Sequence, residues 1–149
     1  MQINVYVITM LVAGVTAAWL AISVLRKRSA PGRLEFVLLM LAITVWGCAQ
    51  AFEGAAVTYE TKLFWGIVSY LGSQPSAVFL LLFALRYSRP GMRLPLWKRL
   101  LLWVVPCTSL LMAVTNPYHH LLWPSVDLRV TWAGVSMIYT HGPWFWVEV

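Results

Sequence analysis

Charged residues are scarce in this chain, which excludes an ordinary soluble domain. Only 11% of the 149 residues are Asp, Glu, Lys or Arg, and five of them are acidic, whereas soluble domains contain about a quarter charged residues. The hydrophobic share is 60%, and a chain this short cannot bury so much apolar surface inside itself. We therefore expect lipid to solvate the remainder.

Motifs that carry catalysis or bind metals are also missing. The sequence has no HExxH motif, no phosphate-binding loop, no paired nucleophile and base, and none of the histidine-box or nucleotide-binding motifs of a kinase. The two cysteines, Cys48 and Cys107, both lie in apolar runs, so neither a disulfide framework nor a metal site is expected from them. We predict no enzyme activity and no cofactor for these residues.

What the chain does have is four apolar runs long enough to cross a bilayer, which takes about 20 residues as an α-helix. They predict transmembrane helices over residues 3–25, 34–56, 63–87 and 97–115, with the start of a fifth over 144–149. Pro75 in the third run predicts a kink near the middle of that helix, and Pro106 lies within the fourth. The predicted fold class is an all-α membrane protein, an antiparallel bundle of transmembrane helices.

The basic residues indicate the orientation of the bundle. Of eleven Lys and Arg residues, nine lie in the two loops after the first and third runs, and only Lys62 and Arg129 lie elsewhere. Basic loops stay in the cytoplasm. The N-terminus and residues 116–143 are therefore expected on the outer side of the cell membrane, which is the inner membrane in a bacterium that has two. This clustering is also why the net charge of +6 indicates membrane topology and a lipid partner, and no nucleic acid.

The outer segment alternates apolar and polar residues. Residues 127–132 and 135–140 each show this period of two, and Ala133-Gly134 lies between them as a turn. The pattern predicts a small extracellular β-hairpin.

Glu53 is the most informative residue, because it lies inside the second apolar run near its outer end. An ionisable group at such a position marks a functional site unless it is paired. Helical spacing and the polar residues around Pro75 predict a pocket open to the outside. Its candidate ligand-binding residues are Glu53, Gln50, Trp46, Tyr70 and Gln74. The alternative is that Glu53 lies at the membrane interface and pairs with Lys62 or with a hydroxyl group.

The histidines of the outer segment offer a second possible site. His119, His120, Asp127 and His141 are of the types that bind zinc. Adjacent histidines point in different directions and the spacing matches no zinc motif, so no metal site is predicted. Asn116, His119 and Trp123 are instead expected to cap the fourth helix and anchor the chain at the lipid headgroups.

Residues distributed along the whole chain resemble a known family. In chain order they are Trp46-Gly47 and Glu53; Lys62, Trp65, Tyr70, Gly72 and Pro75; Phe83-Ala84-Leu85-Arg86-Tyr87; Pro106; Thr115-Asn116, His119 and Leu122-Trp123; and Gly142-Pro143-Trp144-Phe145-Trp146. With this order and spacing the chain resembles the N-terminal seven-transmembrane sensor region of bacterial histidine kinases, also found in front of diguanylate cyclases. The resemblance covers all 149 residues and stops early in helix five, so the chain is expected to be the front part of a longer protein.

The resemblance implies a signal-input module that detects a small ligand or membrane cue and relays it to a cytoplasmic output domain. It also implies a homodimer formed through the full-length protein. Two other classes stay open. A transporter or channel fragment is favoured by the intramembrane acid and the proline-broken helix, although no repeated half is visible. A membrane-embedded enzyme would require Glu53 and the outer histidines to converge on one cleft.

Overall fold

The chain folds into four long helices, a two-stranded antiparallel sheet and one helical turn. The computed structural model describes residues 1–26, 31–89, 91, 94–131 and 134–148. The elements are α1 (Val5–Leu25), α2 (Arg33–Ala55), α3 (Tyr59–Ser88), α4 (Leu96–His119), β1 (Val126–Thr131), β2 (Gly134–Tyr139) and α5 (Phe145–Glu148). The predicted mostly helical class, with four helices apolar enough to span a membrane and a small hairpin, is confirmed.

Two helices extend beyond the apolar runs that predicted them. Helix α3 begins at Tyr59, before residue 63, and α4 continues to His119, beyond residue 115. Hydropathy marks the stretch that suits lipid, whereas a helix continues wherever its backbone hydrogen bonds do. Helix α3 is unbroken through Pro75, as α4 is through Pro106.

Helix α2 lies between α1 and α3, and glycines allow close approach on both sides. A Cβ at Gly47 would lie 3.2 Å from the Cα of Gly14 in α1. A Cβ at Gly72 in α3 would overlap the carbonyl oxygen of Ala42 and the backbone nitrogen of Trp46. Helices in lipid gain no hydrophobic driving force by packing against each other. Close van der Waals contact at small residues stabilises such crossings instead.

The hairpin packs where α1 begins and α2 ends, which we call the hairpin end of the bundle. Its strands pair in register from Val126 opposite Tyr139 to Thr131 opposite Gly134. Ala133 of the predicted turn and the preceding Trp132 lie outside the described residues. Lys27, Arg28 and Arg93 of the basic loops also lie outside them.

The outward faces of the helices carry large apolar side chains. Val15 and Trp19 of α1, Leu80 of α3 and Leu111 of α4 are each more than half exposed. Apolar surface of this extent is typical of a face that contacts lipid or another helix.

Candidate functional site

A buried asparagine at the end of α4 directs the chain back toward the helices. The Asn116 Oδ1 atom accepts hydrogen bonds from the N–H groups of Leu122 at 3.1 Å and Trp123 at 3.0 Å, and its Nδ2 donates to the Trp123 carbonyl oxygen at 2.9 Å. His120 ends the helix in the left-handed conformation, with φ of 54°. As a result the Trp123 indole is 5% exposed and packs beside Ala113.

His119 stabilises the same turn. Its Nδ1 accepts from the Leu121 N–H at 3.0 Å, so in the neutral ring the proton is on Nε2, which donates to the Thr115 hydroxyl at 3.0 Å. Asn116, His119 and Trp123 therefore form one capping arrangement at the helix end.

The chain after the hairpin returns over this turn. Backbone N–H groups of Gly142 and Trp144 donate to the carbonyl oxygens of Leu122 at 2.9 Å and Leu121 at 3.1 Å. The Trp144 indole donates to the Ser109 hydroxyl of α4 at 3.1 Å. These bonds position α5 against α3 and α4.

Glu53 is the centre of a hydrogen-bond network that joins three elements. Its Oε1 accepts from the Tyr139 hydroxyl of β2 at 2.8 Å, and its Oε2 accepts from Gln50 Nε2 at 3.1 Å. The Oε1 atom of Gln50 in turn accepts from the Tyr6 hydroxyl of α1. The carboxylate thus has donors from its own helix and from the hairpin.

Lys62 bonds to the backbone of Glu53 and not to its carboxylate. The lysine is 2% exposed, and its Nζ donates to the Glu53 carbonyl oxygen at 2.8 Å. This carbonyl lies in the last turn of α2, where the helix dipole is negative. Within the part of the chain that the structure describes, Glu53 forms no salt bridge. From the sequence, the alternative was that the carboxylate pairs with either Lys62 or a hydroxyl group. Of these two, its partner in the structure is the Tyr139 hydroxyl.

Tyr139 is held in its protonated form. Burial raises the pKa of this phenol first, and the neighbouring Glu53 charge raises the same pKa further. The hydroxyl group therefore remains a donor to the carboxylate at physiological pH.

Two cavities meet at the Glu53–Tyr139 hydrogen bond. The larger, which we call the cleft, has a volume of about 860 Å³ and is lined by the start of α1, the end of α2, Lys62 and β2. The smaller, which we call the recess, has a volume of about 190 Å³. The recess is lined by Gln50, Glu53, Gly66, Ser69, Tyr70, Trp123, Tyr139, His141 and Phe145.

The five residues predicted from sequence divide into two groups. Glu53, Gln50 and Tyr70 all line the recess. Gln74 instead donates to Glu148 Oε2 at 3.4 Å, and Trp46 is 41% exposed and lines neither cavity. The Tyr70 hydroxyl also donates to Glu148, at 3.0 Å to Oε1.

Glu148 and Tyr139, which bond to the predicted residues Tyr70, Gln74 and Glu53, were not identified from the sequence. Glu148 is an acid at the start of an apolar segment, so the rule that singled out Glu53 applied to it equally. Tyr139 carries a weaker signal: strand alternation places it on the same face as Val135 and Met137, but only the docked hairpin brings it to Glu53.

The histidines of the outer segment contact different parts of the structure. Among residues 1–26, 31–89, 91, 94–131 and 134–148, no three His, Cys, Asp or Glu side chains come together as metal ligands. His141 lines the recess with Glu53, while His119 is bonded at the end of α4.

Comparison with known families agrees with the resemblance seen in the sequence. The family model described as the N-terminal 7TM region of histidine kinase matches residues 7–149. No curated protein and no solved structure matches the chain.

Proposed function

The chain belongs to the family of N-terminal 7TM regions of histidine kinases, and from this premise we propose that it is the signal-input module of a two-component histidine kinase or a diguanylate cyclase. Its helices cross the cell membrane with the hairpin outside and the two basic loops in the cytoplasm. The module detects a small ligand or membrane cue and relays it to a cytoplasmic output domain beyond these residues.

The observation that carries the proposal is the hydrogen bond from Tyr139 to Glu53 at 2.8 Å. It joins a helix able to span the membrane to a hairpin packed at its end, and both of its residues line the cleft and the recess. An acid at this depth is costly unless it is satisfied, so any ligand that bonds to Glu53 competes with Tyr139 or reorients it. Such a ligand favours one position of the hairpin over another by its differential affinity for the two.

Helix α2 offers a physical route to the opposite end of the bundle. Near its start, Glu35 is 8% exposed and pairs with Arg86 of α3, with Oε1 and Nε 3.1 Å apart. Helices α2 and α3 are therefore linked by polar contacts at the basic end and packed closely at Gly72. A displacement of α2 at Glu53 is transmitted by packed helices that move as rigid elements.

The test is the basal output of the full-length protein in proteoliposomes, measured as autophosphorylation or cyclase activity. Glu53→Gln keeps the shape of the side chain but replaces one acceptor oxygen with a donor opposite Gln50 or Tyr139. We expect basal output to change by about tenfold, because a shift of roughly 1.4 kcal/mol between two states has that effect.

The matched control is Glu60→Gln, which removes an exposed carboxylate from the first turn of α3 at the same end. We expect this variant to retain wild-type output. If Glu53→Gln also retains it at equal membrane abundance, Glu53 is not the switch.

A further inference from the structure

Four of the nine residues that line the recess are Phe, Tyr or Trp, and the His141 ring is stacked on Phe145 with centroids 3.8 Å apart. Tyr70, Trp123, Tyr139 and Phe145 all contribute to its lining. The ring planes of Trp123 and Tyr70 are inclined at 79° with centroids 5.6 Å apart, and those of Trp123 and Tyr139 at 44° with centroids 4.9 Å apart. Rings at such angles present their faces in different directions, as in the aromatic cages that hold methylated ammonium groups.

Two acidic side chains lie in or beside the recess. Glu53 lines it, whereas the nearby Lys62 lines the cleft and bonds to a backbone carbonyl oxygen. A second carboxylate, Glu148, is bonded to the Tyr70 hydroxyl. In a region of low dielectric these charges attract a cation more strongly than they would in water.

Both tyrosines on the wall are polarised in the same sense. The hydroxyl of Tyr139 donates to Glu53 at 2.8 Å and that of Tyr70 donates to Glu148 at 3.0 Å. Donation to an anion shifts electron density into a phenol ring. The ring face then becomes more negative and attracts a cation more strongly.

Two of the side-chain donors that line the recess, on Gln50 and Ser69, are already engaged. Gln50 Nε2 donates to Glu53, and the Ser69 hydroxyl donates to the Gly66 carbonyl oxygen at 2.7 Å. The volume of about 190 Å³ also restricts the occupant to a small molecule or a single headgroup.

We infer that the recess binds a small organic cation with a quaternary or methylated ammonium group, with Glu53 as its counter-ion. The inference rests on the proposed sensing function, because it names the ligand class of the same site. The cation makes contact with the ring faces through its methyl groups, and the carboxylate supplies the opposite charge.

The experiment uses choline as the probe and full-length protein in nanodiscs of phosphatidylethanolamine and phosphatidylglycerol. Binding is followed by calorimetry and by fluorescence, since Trp123 lies in the wall. The neutral comparison is the carbon isostere of choline, in which a tert-butyl group replaces the trimethylammonium group. We expect saturable choline binding that is at least about tenfold tighter than binding of the isostere.

A second arm places phosphatidylcholine in the nanodisc. A fluorescence change with this lipid that is absent with free choline assigns the cation to a lipid headgroup, and the reverse result assigns it to a free solute. Either result supports the inference, and the absence of both overturns it.

Variants connect the binding to the recess. Glu53→Gln and Phe145→Leu should each weaken choline binding by about tenfold, while Glu60→Gln should leave it unchanged. If Glu53→Gln fails to fold, Tyr139→Phe tests the same point. It keeps the ring and removes the polarising hydrogen bond, so choline binding should be weaker.

Equal affinity for choline and its isostere overturns the inference. A changed basal output in Glu53→Gln without any cation binding leaves the sensing proposal intact, so the two can fail separately.

Discussion

Gln2 pairs with Val135 as a peptide group of an adjacent strand does, although the two are 133 residues apart. Its Nε2 donates to the Val135 carbonyl oxygen at 2.7 Å, and its Oε1 accepts from the Val135 N–H at 2.8 Å. The same Nε2 donates to the Gly54 carbonyl oxygen at 2.8 Å. An isolated hairpin is marginally stable, so this side chain attaches β2 to the N-terminal segment that precedes α1 and to the end of α2.

Replacing Gln2 with Ala should loosen the hairpin. The variant leaves the Val135 peptide group and the Gly54 carbonyl oxygen without these partners, and we expect the free energy of unfolding to fall by about 1–3 kcal/mol. Hydrogen exchange of the peptide covering residues 134–139 should become faster, as measured by mass spectrometry in detergent. Ser136→Ala changes an exposed side chain on the same strand and should leave exchange as it is. Unchanged exchange in Gln2→Ala would contradict the attachment.

Asn116 should be among the least replaceable residues of the bundle. Asn116→Ala leaves the N–H groups of Leu122 and Trp123 and the Trp123 carbonyl oxygen unpaired in a buried turn, with an expected loss of about 2–4 kcal/mol. Asn116→Asp keeps both acceptor contacts, and below about pH 3 its protonated carboxyl group can donate to the Trp123 carbonyl oxygen, so its loss should be smaller there. Thermal unfolding of the detergent-solubilised protein measures both variants. Equal melting temperatures for the two would show that the acceptor contacts contribute little.

Tyr139 should resist ionisation until the fold is lost. Its pKa is raised in the folded chain, so its contribution to stability is complete below the unfolded value of about 10 and is lost as pH rises toward the folded value. In the folded state, wild type and Tyr139→Phe should therefore show equal tyrosinate absorbance at moderately alkaline pH. After denaturation, the wild type should show the absorbance of one additional tyrosinate. A difference in tyrosinate absorbance already present in the folded state would show that the Tyr139 phenol is exposed to water.

The fold could be predicted from hydropathy because lipid imposes a simple rule on backbone and side chains. The helix ends could not, since the polar first turn at Tyr59 and the capped end at His119 lie beyond the apolar runs. For the site, Glu53 and Gln50 were found together because three residues make nearly one helical turn. Trp46 shares their stripe but lies two turns from Glu53, about 10 Å along the axis. Tyr139 required the hairpin to dock, a tertiary event that no local spacing encodes.

Accessible cysteines placed at the two ends of α3 would test the proposed orientation. In a chain carrying Cys48→Ala and Cys107→Ala, Thr58→Cys adds an exposed thiol before α3 at the hairpin end, and Ser88→Cys adds one at its basic end. On intact cells a membrane-impermeant maleimide should label only Thr58→Cys, because basic loops stay in the cytoplasm. Permeabilised cells should show labelling of both, which controls for access to each thiol. Labelling of Ser88→Cys alone on intact cells would invert the bundle and remove an extracellular ligand from the proposal.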